Sequence, residues 1–147
     1  MESADIIKEL LKRLRENVNF LKQERDAVSS FQEFMENIRL RKAVERALQV
    51  AIEACLDIAH HIISEEGFRY PESSADAFKV LGEEGIIPSE LLPKLVNMAK
   101  FRNVLVHEYV RLDNSVIYGV LKKHLGDFEE FARAIISYLE RNEVEER

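Results

Sequence analysis

The chain has 147 residues, 46% of them hydrophobic and 33% charged, with a formal charge of -6. That content is enough to bury one respectable core and excludes a disordered chain. The acidic balance excludes a protein that grips nucleic acid over its whole surface, although a local basic cleft remains compatible with it.

Five Gly and three Pro leave few turns, so long helices are expected. The fold class predicted is all-α: an up-and-down four-helix bundle with one or two additional short helices, as a single domain over residues 1–147. A lone cysteine, Cys55, lies between Ala54 and Leu56 and has no partner for an internal disulfide, which fits a reducing cytoplasm. It reads as a small buried hydrophobe rather than a nucleophile. The opening MESADIIKEL has no basic-then-apolar signal pattern. No apolar run approaches the roughly 20 residues that a membrane span requires.

From about Asp5 to Asp26, Ile6, Ile7, Leu10, Leu14, Val18 and Leu21 recur at helical spacing. Ser29 and Ser30 then offer a cap for a second helix, predicted as one rod from Phe31 to Glu65 because no Gly or Pro interrupts it. Two adjoining faces of its middle are apolar. Val44, Ala47, Ala51, Ala54 and Ile58 form one, and Leu48, Ile52, Cys55, Ala59 and Ile62 the other, so this helix must touch several neighbours.

A narrow polar stripe survives on the same helix: Glu45, Gln49, Glu53, Asp57 and His60. It is either a solvated edge or a polar wall facing a cleft, with Glu53 and Asp57 orienting catalytic groups. Asp57-x-x-His60 mimics half of a di-metal helix motif, but Glu-x-x-His occurs nowhere in the chain, and no metal or other cofactor is expected.

Gly67 to Pro71 reads as a loop. A short helix is expected over Ala75 to Leu81, capped by Ser73 or Ser74 and stopped by Gly82 and Gly85. Pro88 and Ser89 are expected to open the next helix, with Glu90 in its first turn. Another is predicted from about Asn114 to Leu125, broken by Gly126, and a last one from Asp127 to Asn142 with Phe128, Phe131, Ile135, Tyr138 and Leu139 inward. The charged tail from Glu143 is expected to fray.

The helix after Pro88 carries Arg102-Asn103-Val104-Leu105-Val106-His107-Glu108-Tyr109, in pattern form R-x4-H-x-Y. Arg102 falls on the stripe of Leu91, Leu95, Met98, Leu105 and Tyr109, where the scaffold calls for a hydrophobe. A guanidinium there requires a carboxylate, a phosphate or the mouth of a cleft. His107 lies five residues on, about 140° away around an ideal helix. Either the helix ends or bends between Asn103 and His107, or a second subunit completes the site.

If the two groups converge, a neutral imidazole can take the proton of a ribose 2′-hydroxyl while the arginine stabilises charge on the phosphate. DNA lacks that hydroxyl and is refused. The residues taken alone leave open a structural arginine and a surface histidine.

RNVLVHEY resembles the signature of the HEPN superfamily, and of its HepT-type toxins in particular. The run from Glu45 to Ala59 resembles the long second helix of that group, and the likeness spans about Glu45 through Tyr138. The resemblance implies a metal-independent endoribonuclease toxin of a type II/VII-like toxin–antitoxin module, with Arg102 and His107 as the catalytic pair and Asn103 as a polar helper. It implies that Tyr109 receives AMP from a cognate MNT-type nucleotidyltransferase antitoxin, adding charge and bulk beside His107. It also implies a homodimer whose two motifs line one cleft. Lys100 and Arg111 near the motif, with Arg46, Arg39, Arg41 and Lys42 on the second helix, are candidates to hold the RNA backbone. The alternative from another class is a non-catalytic helical partner that docks on the nucleotidyltransferase.

Overall fold

The computed structural model describes residues 2–107 and 113–145, with side chains for 3–106 and 113–145. Among these residues there are seven helices and no strand. The four long ones are α1 (Glu2–Ala27), α3 (Ile38–Glu66), α5 (Leu92–His107) and α7 (Leu125–Glu145). Three short ones join them: α2 (Phe31–Glu36), α4 (Ser74–Glu83) and α6 (Asn114–Lys123). The all-α class is as expected, with three additional short helices instead of one or two.

α3 is the central post. Its apolar arc, which includes Val44, Leu48, Ala51, Ile52, Cys55, Ile58, Ala59 and Ile62, is buried, and it packs on α1, α4, α5 and α7. Ala47, Ala51, Ala54 and Ala59 let those neighbours approach closely. By length and composition α3 is apolar enough to cross a membrane, contrary to the expectation that no run approaches such a length, but 61% of its most apolar 18 residues is buried against other helices.

Contacts between side chains show the directions of the long helices. Lys8 faces Glu143 and Lys22 faces Glu129, so α1 and α7 run antiparallel. Tyr138 donates to Glu66 at 2.6 Å, which brings the C-terminal ends of α3 and α7 together beside the start of α1. Burial at this end pushes the Tyr138 phenol well above its ordinary pKa, as does the hydrogen bond to Glu66. On α6, the Lys122 ammonium donates to the carbonyls of Arg25 and Val28, both at 2.6 Å, closing the C-terminal end of α1.

Four helix boundaries differ from the sequence expectation for a local reason, while α7 also stays helical to Glu145 where a frayed tail from Glu143 is expected. The rod predicted from Phe31 to Glu65 breaks at Asn37, which is extended (φ -106°, ψ 93°). The Asn37 side chain caps α3 by accepting from the Leu40 N–H at 3.0 Å. The break frees α2 to bury Phe34 and to set Phe31 and Phe34 against Tyr118 of α6, each with ring centroids 5.4 Å apart.

α4 begins after its expected cap, Ser73, but continues through Gly82. A Cβ on Gly82 would sit 3.1 Å from Leu92 Cδ2, so this glycine permits close approach to α5 instead of ending α4. α5 starts at Leu92, not Ser89. Pro88 to Leu91 is a turn closed by the Leu91 N–H on Pro88 O, and Pro93 lies in the first helical turn, where its missing N–H costs nothing. Finally, the break near the C-terminus falls at His124. Gly126 is inside the first turn of α7, whose Asp127 N–H bonds His124 O at 3.2 Å.

Candidate functional site

α5 lays Leu95, Met98, Ala99 and Leu105 into the core, and Arg102 sits on the same stripe. The helix remains α-helical from Leu92 through His107. It therefore neither ends nor breaks between Asn103 and His107, and the first way of bringing Arg102 and His107 together fails. Within one chain the two positions stay about 140° apart around the helix axis.

The Arg102 side chain is half-buried, and its guanidinium has two partners. Nη2 donates to Glu53 Oε2 on α3 at 3.4 Å, and Nη1 to Asn103 Oδ1 at 3.3 Å. Nε is buried with no partner among the described residues. These are long contacts for a charged donor, which leaves the guanidinium oriented but not saturated. The demand that an inward arginine find a carboxylate is met by Glu53.

The other predicted residues divide. Asn103 touches Arg102 but is itself exposed. Asp57, one turn beyond Glu53, points to solvent, and the described contacts join Arg102 to Glu53 alone of the two carboxylates. Lys100 on α5 and Arg46 on α3 are both exposed. Arg46 is seven residues before Glu53 and thus on its face of α3, about 10 Å along the axis.

Lys100, Asn103 and His107 occupy one side of α5, within about 60° of one another. His107 is the last described residue of that helix. Tyr109 and Arg111 lie outside the described residues. Among the described residues no three of His, Cys, Asp and Glu cluster as metal ligands, and both Asp57 and His60 are exposed. Cys55 is buried, and burial pushes its thiol pKa far up, so it fills space as a hydrophobe.

A groove of about 640 Å³ opens at the bundle end where α1 starts, between Lys8, Glu65, Tyr138 and Glu143. Its carboxylates (Asp5, Glu65, Glu66 and Glu143) make it repellent to a polyanion. The Arg102 side, in contrast, offers a partly exposed guanidinium, with exposed Arg46 about 10 Å along α3 from its partner Glu53, while Lys100 lies on the opposite side of α5.

The ribonuclease HepT-like family matches residues 3–135. The mRNA nuclease HepT of Shewanella oneidensis is 36% identical over 103 residues, covering 70% of this chain and 77% of that protein. A tRNA nuclease HepT from Aphanizomenon flos-aquae is 29% identical over 75% of each chain. The solved structure of a tri-AMPylated Shewanella oneidensis HEPN toxin in complex with MNT antitoxin superposes with a TM-score of 0.81 at 31% identity, covering 90% of this chain and 98% of that one. The chain belongs to the ribonuclease HepT-like family, the HepT branch of the HEPN superfamily.

Proposed function

We propose that this chain is a metal-independent endoribonuclease toxin, acting in the cytoplasm as one helical domain and as a homodimer. The observation that carries the reading is Arg102: a guanidinium on the inward stripe of α5, held by Glu53 yet left, among the described residues, with unused donors. An arginine kept only for packing is costly to bury in that state. One kept for a phosphate needs those free N–H groups.

In the proposed reaction the His107 imidazole takes the proton from a ribose 2′-hydroxyl. The O2′–phosphorus bond forms, the phosphorus–O5′ bond breaks, and O5′ leaves as the alcohol, taking a proton from water while the imidazolium gives its own back to solvent. The products are a 2′,3′-cyclic phosphate and a 5′-hydroxyl. Arg102 stabilises the added negative charge on the phosphoryl oxygens. Because α5 is continuous, the histidine that faces a given Arg102 comes from the second copy of the chain. Lys100, Arg46 and Arg111 hold the RNA backbone on either side.

Neutralisation follows the chemistry named for the S. oneidensis relative, a toxin AMPylated in complex with its MNT antitoxin. Tyr109, two residues after His107, is the acceptor in this chain. An attached AMP brings negative charge into a groove meant for phosphates and blocks it.

The experiment is RNA cleavage by purified protein in EDTA beside His107→Ala, with intact mass showing Tyr109 unmodified and product ends mapped. Cutting by the wild type alone, with cyclic phosphate ends, supports the reading. Folded, unmodified protein that leaves RNA intact replaces it with the docking partner of a nucleotidyltransferase, which the net charge of -6 suits.

A further inference from the structure

The polar stripe of α3 was equally readable as a solvated edge, but one of its members makes a long-range contact. Glu53 meets Arg102 across 49 residues of sequence, with side-chain exposures of 35% and 25%. An exposed ion pair contributes little, because water screens it and two long side chains must be held still. This pair is partly shielded, and both side chains rise from long, packed helices, so less freedom remains to be lost.

The donor count assigns a task to the contact. A guanidinium carries five N–H groups. Among the described residues Glu53 takes one on Nη2, Asn103 takes one on Nη1, and Nε is buried without a partner, so one hydrogen remains on each Nη. Glu53 itself is anionic, so it repels a phosphate and has no direct use as an RNA ligand. Asp57, on the next turn of the same face, is exposed and makes no such contact.

We infer that Glu53 is the positioning residue of the site: by holding Arg102 Nη2 from α3, it aims the remaining Nη hydrogens at the scissile phosphate. This rests on the ribonuclease reading and adds to it a residue that acts only through Arg102. Without the carboxylate, a long arginine side chain swings towards solvent. The phosphate then meets a mobile cation instead of a preorganised one.

The test compares wild type, Glu53→Ala and Glu53→Gln, with steady-state cleavage of one defined RNA, thermal melts, and the NMR signal of Arg102 Nε–Hε. That signal is assigned by its loss in Arg102→Lys. Glu53→Ala is expected to lower kcat by about 10- to 100-fold with KM changed by less than about 3-fold, since misplacement by an ångström has that cost. Its Arg102 signal should move to the position of a free arginine. Glu53→Gln, which keeps shape and an acceptor oxygen but not the charge, should fall between and melt as the wild type does. If Glu53→Ala is unfolded, Glu53→Gln carries the test alone, and a wild-type kcat in it overturns the inference. Wild-type kcat and an unmoved Arg102 signal in both variants overturn it while leaving the ribonuclease reading intact. An inactive wild type removes that reading first, and this inference with it.

Discussion

Arg102 and His107 share one unbroken helix, five residues apart, and so lie on faces about 140° apart. A phosphate bound at Arg102 of one chain cannot also meet His107 of that chain without unwinding α5. Under the proposed function the site draws on two copies, and this gives a mixing experiment. Arg102→Ala and His107→Ala proteins are each expected to be inactive. Co-refolded in equal amounts, half of the dimers become mixed, and each mixed dimer regains one intact site of two. About one quarter of wild-type activity should return, as symmetry requires. No recovery, with mixed dimers shown to be present, would assign the site to a single chain.

The α3–α4 connection is held by Arg69, whose guanidinium pairs with Asp76 at 2.7 and 2.9 Å and with Glu83 at 2.8 and 2.9 Å. The Arg69 hydrogen bonds, then the Glu72 N–H, hold the Asp76 carboxyl far below its usual range, and Arg69 lowers Glu83 as well. A depressed carboxylate pKa adds stability that is complete above the unfolded value, about 4, and is lost as pH falls towards the folded one. Melting temperature should fall on acidification below about pH 4, and Arg69→Met should flatten that part of the profile. Salt should weaken the effect, because Arg69 is half-exposed. An unchanged acid limb in Arg69→Met would show that other carboxylates dominate it.

Gly67 ends α3 in the left-handed region at φ 70° and donates its N–H to Ile63 O. A Cβ there meets nothing within 4 Å, so the strain of a substitution is purely that of the backbone. Gly67→Ala is expected to cost about 1 kcal/mol in urea denaturation, the left-handed penalty of an L-residue. A neutral result would show that the loop to Pro71 relaxes around the substitution.

Lys122 donates to two carbonyls at the end of α1, both at 2.6 Å. Lys122→Met keeps the apolar stem and removes both bonds. It should cost about 2 kcal/mol, the range for bonds to a charged donor, measured by the same denaturation. Loss confined to the α1–α6 region in hydrogen exchange would locate the effect.

How much of this was legible beforehand depended on the range of the interaction. The apolar stripes of α1, α3 and α7, the inward position of Arg102 and the 140° divergence from His107 follow from residue spacing alone. Helical period acts over a few residues, and the spacing records it. The Ser30 and Ser73 caps were visible only as one of two adjacent serines each, being bonds over three residues. The break at Asn37 was not, because its cap bond is local while the reason to break is distant: the rings of Phe31 and Phe34 pack on Tyr118, more than 80 residues away. Gly82 and Gly126 looked like stops. Packing decided otherwise, using the first for the approach of Leu92 and placing the second inside the first turn of α7, after a break at His124. The same holds at the candidate site. The sequence placed Glu53 and Asp57 on one stripe and could not rank them, since one turn of helix separates them and their chemistry is alike. Only the crossing of α5 over α3 brings Arg102 to Glu53 and leaves Asp57 in water, because a contact across 49 residues is set by how whole helices pack and not by any pattern within one of them.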